Sequence, residues 1–66
     1  MVYSYTMNTT NEKIGKLIAQ IRQERELTQS EFAAKLGTSQ SAVNRMERGK
    51  QNLSLETLGR ISDVLN

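Results

Sequence analysis

The sequence contains no cysteine, no histidine and no proline, and two tyrosines and one phenylalanine are its only aromatic residues. Without cysteine or histidine it has no disulfide, no thiolate nucleophile, no thiolate or imidazole metal ligand and no imidazole general base. The acidic side chains that remain lie on different predicted helices, and no pair of them has a spacing typical of a shared catalytic site. We therefore predict that the chain is not an enzyme and binds neither a metal nor a cofactor.

Long apolar runs are also missing, since the longest, such as residues 17–19, have three residues. Such runs are too short for a membrane span or a signal-peptide core, so we expect a cytoplasmic protein. Sixty-six residues make at most one domain, and a domain of this size buries about 60% of the surface that its unfolded chain exposes. With so few aromatic rings, the core has to be built from aliphatic side chains and methionine on helices.

The apolar residues recur at helical spacing, and no alternating run typical of a strand is present. A first helix is predicted over residues 11–25, because four apolar side chains share one face of it. These are Ile14, Leu17, Ile18 and Ile21. Residues 1–10 have no such periodicity and are predicted to form a flexible arm, which leaves residues 11–66 as the folded domain.

Local signals at helix ends predict three further helices. Thr28 and Glu31 form the pattern of a capping box, which starts a helix over residues 29–36. Gly37 supplies the left-handed residue that ends this helix. Ser39 and Ser54 are caps for helices over residues 40–48 and 55–65. The predicted fold class is therefore all-α, a compact bundle of four short helices that contains a helix-turn-helix.

The second and third helices, joined by a tight turn, have the geometry of a motif whose second helix enters a major groove about 12 Å wide. Between Phe32 and Asn52 the only acidic residue is Glu47, against four basic ones. The outward face of the third helix carries only hydrogen-bonding side chains, of the types that contact base edges and phosphates. These are Gln40, Ser41, Asn44, Arg45 and Arg48. An alternative interpretation of this face is a merely solvated helix surface.

At this point the chain resembles the lambda-repressor-like helix-turn-helix domains, also described as the Cro/cI or xenobiotic-response-element type. The resemblance is carried by Arg22 and by the stretches LTQSEFA (27–33), LGTSQSAV (36–43) and MERGK (46–50), and it covers about residues 14–66. Domains of this family usually have a fifth helix, which completes the core and often supports dimerisation. No fifth helix is predicted before Asn66, so the sequence departs from the family pattern here, and two interpretations stay open, a four-helix domain or a fragment of a longer protein.

The resemblance implies roles for individual residues. Gln29 is expected to bind a DNA phosphate and to support Gln40, and further phosphate contacts are expected near Arg48 and Lys50. For Ser39 the capping role is a sufficient explanation by itself, and a phosphate contact would be an additional role. Arg22 and Glu47 are expected to form an internal ion pair between the first and third helices.

The function that follows is sequence-specific binding of double-stranded DNA by a transcriptional regulator or its DNA-binding domain. We expect a homodimer on a two-fold symmetric operator, in the cytoplasm and on the nucleoid of a bacterium or phage host. Gln40 is suited to adenine and Arg45 to guanine, so these two are the leading specificity residues. Two alternatives stay open, a protein-interaction module and a DNA-binding appendage of a larger enzyme.

Overall fold

A computed structural model describes the backbone of residues 2–66 and the side chains of residues 10–66. Four helices follow one another along the chain, and no strand occurs within residues 2–66. They are α1 (Val2–Glu24), α2 (Gln29–Leu36), α3 (Gln40–Glu47) and α4 (Leu55–Leu65). The predicted all-α fold is confirmed. None of the helices in this part of the chain is both long and apolar enough to cross a membrane.

The first helix begins at Val2, well before the predicted start near Asn11. The predicted start is therefore wrong for the backbone. A physical reason is that neither proline nor glycine occurs before Gly15, and adding residues to an existing helix avoids the cost of nucleating a new one. Met1 and the side chains of residues 2–9 lie outside the described residues, so the flexibility predicted for residues 1–10 stays a prediction.

Three helices start with the predicted side-chain caps. Thr28 Oγ1 accepts from Glu31 N at 3.0 Å, and Glu31 Oε1 accepts from Thr28 N at 2.8 Å, which completes a capping box. These backbone and side-chain hydrogen bonds with Thr28 lower the pKa of the Glu31 carboxyl. Ser39 and Ser54 cap α3 and α4 by accepting from the third residue along, at 3.1 Å in each case.

Three helices end with one residue in the left-handed region. For α2 this residue is the predicted glycine, Gly37 at φ 75°, and for α3 it is Gly49 at φ 72°. For α1 it is Glu26 at φ 58°, which has a side chain where glycine is favoured. The amide of Leu27 then donates to Arg22 O at 3.1 Å, the bond that closes a Schellman motif.

The core lies where α2 and α3 pack on each other and on α1 and α4. Phe32 of α2 and Val43 of α3 are completely buried at its centre. Six further apolar residues complete the buried cluster: Ile18, Ala33, Leu36, Met46, Ile61 and Leu65. Arg60 of α4 donates to the carbonyl of Leu36 and so helps to satisfy the end of α2. Together these contacts fix α3 with one side in the core.

Candidate nucleic-acid interface

The helical period of α3 separates its buried side from its polar side. Val43 and Met46 point into the core, whereas Gln40, Ser41 and Arg45 are exposed. Asn44 is half-buried at the boundary. An α-helix places residues three and four apart on one face, so the core contacts of α3 leave its polar face outward.

A shallow, open depression lies on this polar face. Five side chains from two helices line it, and all five were predicted as site residues. These are Gln29 of α2 and Gln40, Ser41, Asn44 and Arg45 of α3. Each carries hydrogen-bonding groups, and none of them changes its charge near neutral pH. The depression therefore offers donors and acceptors whose charge does not change around neutral pH.

Behind this surface, a buried ion pair joins α1 to α3. Arg22 Nε donates to Glu47 Oε2 at 2.6 Å and Arg22 Nη2 to Glu47 Oε1 at 3.1 Å, a bidentate arrangement. The two side chains are only 9% and 7% exposed. The third guanidinium nitrogen, Nη1, donates to Leu27 O at 2.7 Å. The expected Arg22–Glu47 pair is thus confirmed.

Gln29 links this ion pair to the depression. Its amide nitrogen Nε2 donates to Glu47 Oε1 at 2.9 Å. Gln29 is the first residue of α2, directly after the capping Thr28, and it is half-buried. The start of α2 therefore places the Gln29 side chain between Glu47 and the polar face of α3.

The remaining predicted site residues lie at the two ends of α3, outside the depression. Ser39 precedes the helix and is exposed, with its hydroxyl oxygen engaged by Ala42 N. Arg48 and Lys50 flank Gly49 after the helix, and both are exposed. The polar surface of α3 thus has a hydroxyl group before its first residue and two cationic side chains after its last.

Three features of this region were not predicted. Gln51 Oε1 accepts from Arg45 Nε at 3.5 Å, a long contact that links the loop after α3 to the helix. Asn11 Nδ2 donates to Asn52 Oδ1 at 2.8 Å, which ties the same loop to α1. Gly15 lies where α1 touches the backbone of α3. None of these has a local sequence signal, because each depends on how α1 and the loop cross α3.

A sequence model of the family described as Helix-turn-helix matches residues 18–66. The ImmF control region 10 kDa protein of Bacillus phage phi105 is 38% identical over 55 residues, which are 83% of this chain and 61% of that protein. An uncharacterized HTH-type transcriptional regulator of Sinorhizobium fredii is 36% identical over 52 residues, which are 79% of this chain and 68% of that protein.

A solved structure has the same architecture. The restriction-modification controller protein C.AhdI from Aeromonas hydrophila superposes with a TM-score of 0.83 at 28% sequence identity. The match covers 88% of this chain and 84% of that one. The chain thus spans most of the controller protein but only about six tenths of the phage control protein.

Proposed function

This chain belongs to the Cro/cI-type helix-turn-helix family, and from that premise we propose that it binds duplex DNA sequence-specifically, as a transcriptional regulator or its DNA-binding domain. We propose that residues 11–66 form the binding unit and that α3 enters the major groove. Since such a regulator acts on the genome of a bacterium or a phage host, we propose a cytoplasmic, nucleoid-associated location.

The observation that carries this proposal is the continuous polar surface of α3. Its exposed side chains can pair with base edges, and no apolar side chain lies among the five that line the depression. Glutamine pairs with adenine N6 and N7, and arginine pairs with guanine O6 and N7. We propose that Gln40 and Arg45 read bases in this way and that Ser41 and Asn44 add contacts, each good pair discriminating by about 1–3 kcal/mol.

The residues around this surface have a second role in the proposal. Arg48 and Lys50 supply positive charge at the end of α3, and Ser39 and Gln29 supply polar groups near the starts of α3 and α2. Contacts of this kind with phosphates fix the register of a protein on the duplex without reading its sequence. We therefore assign phosphate contacts to Ser39, Arg48 and Lys50, together with Gln29.

A second copy of the chain is proposed as a partner. An apolar groove between α1 and α4 is lined by Ile14, Leu17, Ile21 and Leu58 among others. Leu17 is 54% exposed there. Two copies joined through such a face would read half-sites about 34–36 Å apart, one helical turn of DNA.

The dimer is tested by sedimentation of Leu17→Ser, which we expect to weaken self-association. Leu55→Ser is the matched control, because Leu55 is more exposed, at 87%, and lies outside the groove. Equal self-association of both variants and the unchanged chain would contradict this face. Loss of association in the control as well would also contradict it.

The DNA proposal is tested by selecting bound duplexes from a random pool and then titrating affinity against salt. We expect one enriched motif with two-fold symmetry, together with a linear fall of log K with log salt. The slope is about −0.9 for each phosphate contacted, so the titration counts phosphate contacts. A pool that stays random after selection, or an affinity that does not depend on salt, would contradict the proposal and favour a protein-interaction module.

A further inference from the structure

The interior carboxylate of Glu47 touches a residue of the DNA-facing depression. Resting on the proposed function, we propose that Glu47 is a positioning residue for sequence reading, although its side chain is only 7% exposed. Its carboxylate fixes the orientation of the Gln29 carboxamide, and this orientation sets the base preference of the adjoining α3 surface. Glu47 would thus determine specificity without touching a base.

The carboxylate of Glu47 lies within hydrogen-bond distance of both Gln29 and Arg22. Glu47 Oε1 lies 2.9 Å from Gln29 Nε2 and 3.1 Å from Arg22 Nη2, while Oε2 lies 2.6 Å from Arg22 Nε. An ionised carboxylate can only accept hydrogen bonds. Only the amide nitrogen of Gln29 can therefore face it, and the carboxamide is held in one of its two flipped orientations.

The carboxylate of Glu47 is itself held in place by Arg22. Arg22 holds both oxygens of Glu47 and is held in turn by Leu27 O at 2.7 Å. Bidentate, charge-assisted pairs of this kind have strong geometric preferences. A carboxylate locked on one side by a guanidinium presents a fixed acceptor to Gln29 on the other side.

Gln29 keeps one hydrogen-bond acceptor and one donor that Glu47 does not engage. With one amide hydrogen committed to Glu47, the remaining N–H is left for the phosphate contact proposed above, and the carbonyl oxygen for the depression that Gln29 shares with Gln40. A flip of Gln29 would replace that acceptor by donors. The same exchange distinguishes the N6 donor of adenine from the O6 acceptor of guanine in the major groove. Control of the flip therefore controls which purine fits beside Gln40.

The test is a double-mutant cycle with Glu47→Gln, Gln29→Met and the double variant. The quantity measured is the ratio of Kd values between the best selected duplex and duplexes that carry single purine exchanges. We expect Glu47→Gln to reduce this ratio about tenfold, the equivalent of one good base contact. In the Gln29→Met background the same substitution should change the ratio less than twofold, because nothing is left to orient.

The ratio of Kd values, and not the melting temperature, separates this role from a structural one. Glu47→Gln should lower the Tm in both backgrounds through the loss of charge opposite Arg22, whereas a purely structural role would weaken all duplexes equally and leave the ratio unchanged. If Glu47→Gln does not fold, Gln29→Met can still overturn the inference, since it leaves the ion pair intact and is expected to lose about tenfold in the ratio.

An unchanged ratio in either single variant overturns the inference, as does an equal effect of Glu47→Gln in both backgrounds. Failure of the proposed function looks different, because the unchanged protein would then select no motif at all. A motif selected by the unchanged protein, with ratios that do not respond to Glu47 or Gln29, would refute only the positioning role.

Discussion

Substituting Gly15 by alanine probes the closest approach between α1 and α3. A methyl carbon placed on Gly15 would lie 2.5 Å from Met46 O, 2.6 Å from Glu47 O and 2.8 Å from Glu47 C. All three are backbone atoms of α3, so no side-chain rotation can relieve the contact. The two helices have to move apart.

The magnitude follows from two opposing effects. Ordinary van der Waals contacts begin near 3.4 Å, so the helices would have to separate by roughly 1 Å. Overpacking of this kind costs about 1–3 kcal/mol. Replacing glycine by alanine inside a helix stabilises it by about 0.8–1 kcal/mol. Because the added methyl carbon would meet backbone atoms, which cannot rotate away, we expect an overpacking cost in the upper part of this range. After the helix gain is subtracted, the free energy of unfolding should fall by about 1–2 kcal/mol.

The assay is thermal and urea unfolding followed by circular dichroism, and Gly59→Ala is the matched control. Gly59 lies within α4, and a methyl carbon there would have no heavy atom within 4 Å. It should raise the free energy of unfolding by about 0.5–1 kcal/mol, whereas Gly15→Ala should lower the Tm by about 5–15 °C. If Gly15→Ala proved as stable as Gly59→Ala, the close approach of α1 and α3 would be refuted.

Three further substitutions have defined outcomes. Glu26→Gly should stabilise the protein by about 1 kcal/mol in urea unfolding, because it removes a side chain from a residue at φ 58°. Glu47→Ala should lower the free energy of unfolding by about 3–5 kcal/mol, because it leaves the buried Arg22 charge unpaired. The pKa of the Glu31 carboxyl is lower in the folded protein than its unfolded-state pKa of about 4.5. The stability this contributes is present above pH 4.5 and is lost as the pH falls through the folded-state pKa. Glu31→Gln should therefore flatten the decrease in Tm on the acid side.

Each of these has a control or a contradicting outcome. Glu26→Ala keeps a Cβ at the same positive φ and should leave the stability nearly unchanged, so an equal gain in both variants would contradict a backbone origin. Replacing Arg22 and Glu47 together by Met and Leu should recover most of the loss of the single variant. If Glu31→Gln and the unchanged protein lost stability in parallel below pH 4.5, the capping box would not be the source of the pH dependence.

The sequence predicted best the helices whose ends carry local signals. The bounds of α2 agree with the structure because Thr28 and Gly37 define them within a few residues of the chain. The start of α1 was missed, since a helix can extend through residues that neither start nor stop it. Glu26 at the end of α1 was missed for a related reason, because glutamate gives no signal for a left-handed residue.

The candidate site divides in the same way. The outward residues of α3, such as Gln40 and Arg45, follow from helical periodicity alone, because Val43 and Met46 fix the inner side. The bond between Gln29 and Glu47 joins residues from two helices, and its partners depend on the angle at which these helices pack. Periodicity and capping signals contain no information about that angle, so this contact required the structure.

The most direct test of the account compares Gln40→Ala with Lys50→Ala on the selected duplex and on a scrambled one. Both side chains are exposed, so neither substitution should alter the fold. If α3 reads bases, Gln40→Ala reduces the preference for the selected duplex by about 1–3 kcal/mol, and Lys50→Ala weakens both duplexes similarly and lowers the salt slope by about 1. Equal losses on both duplexes for both variants would contradict base reading by α3.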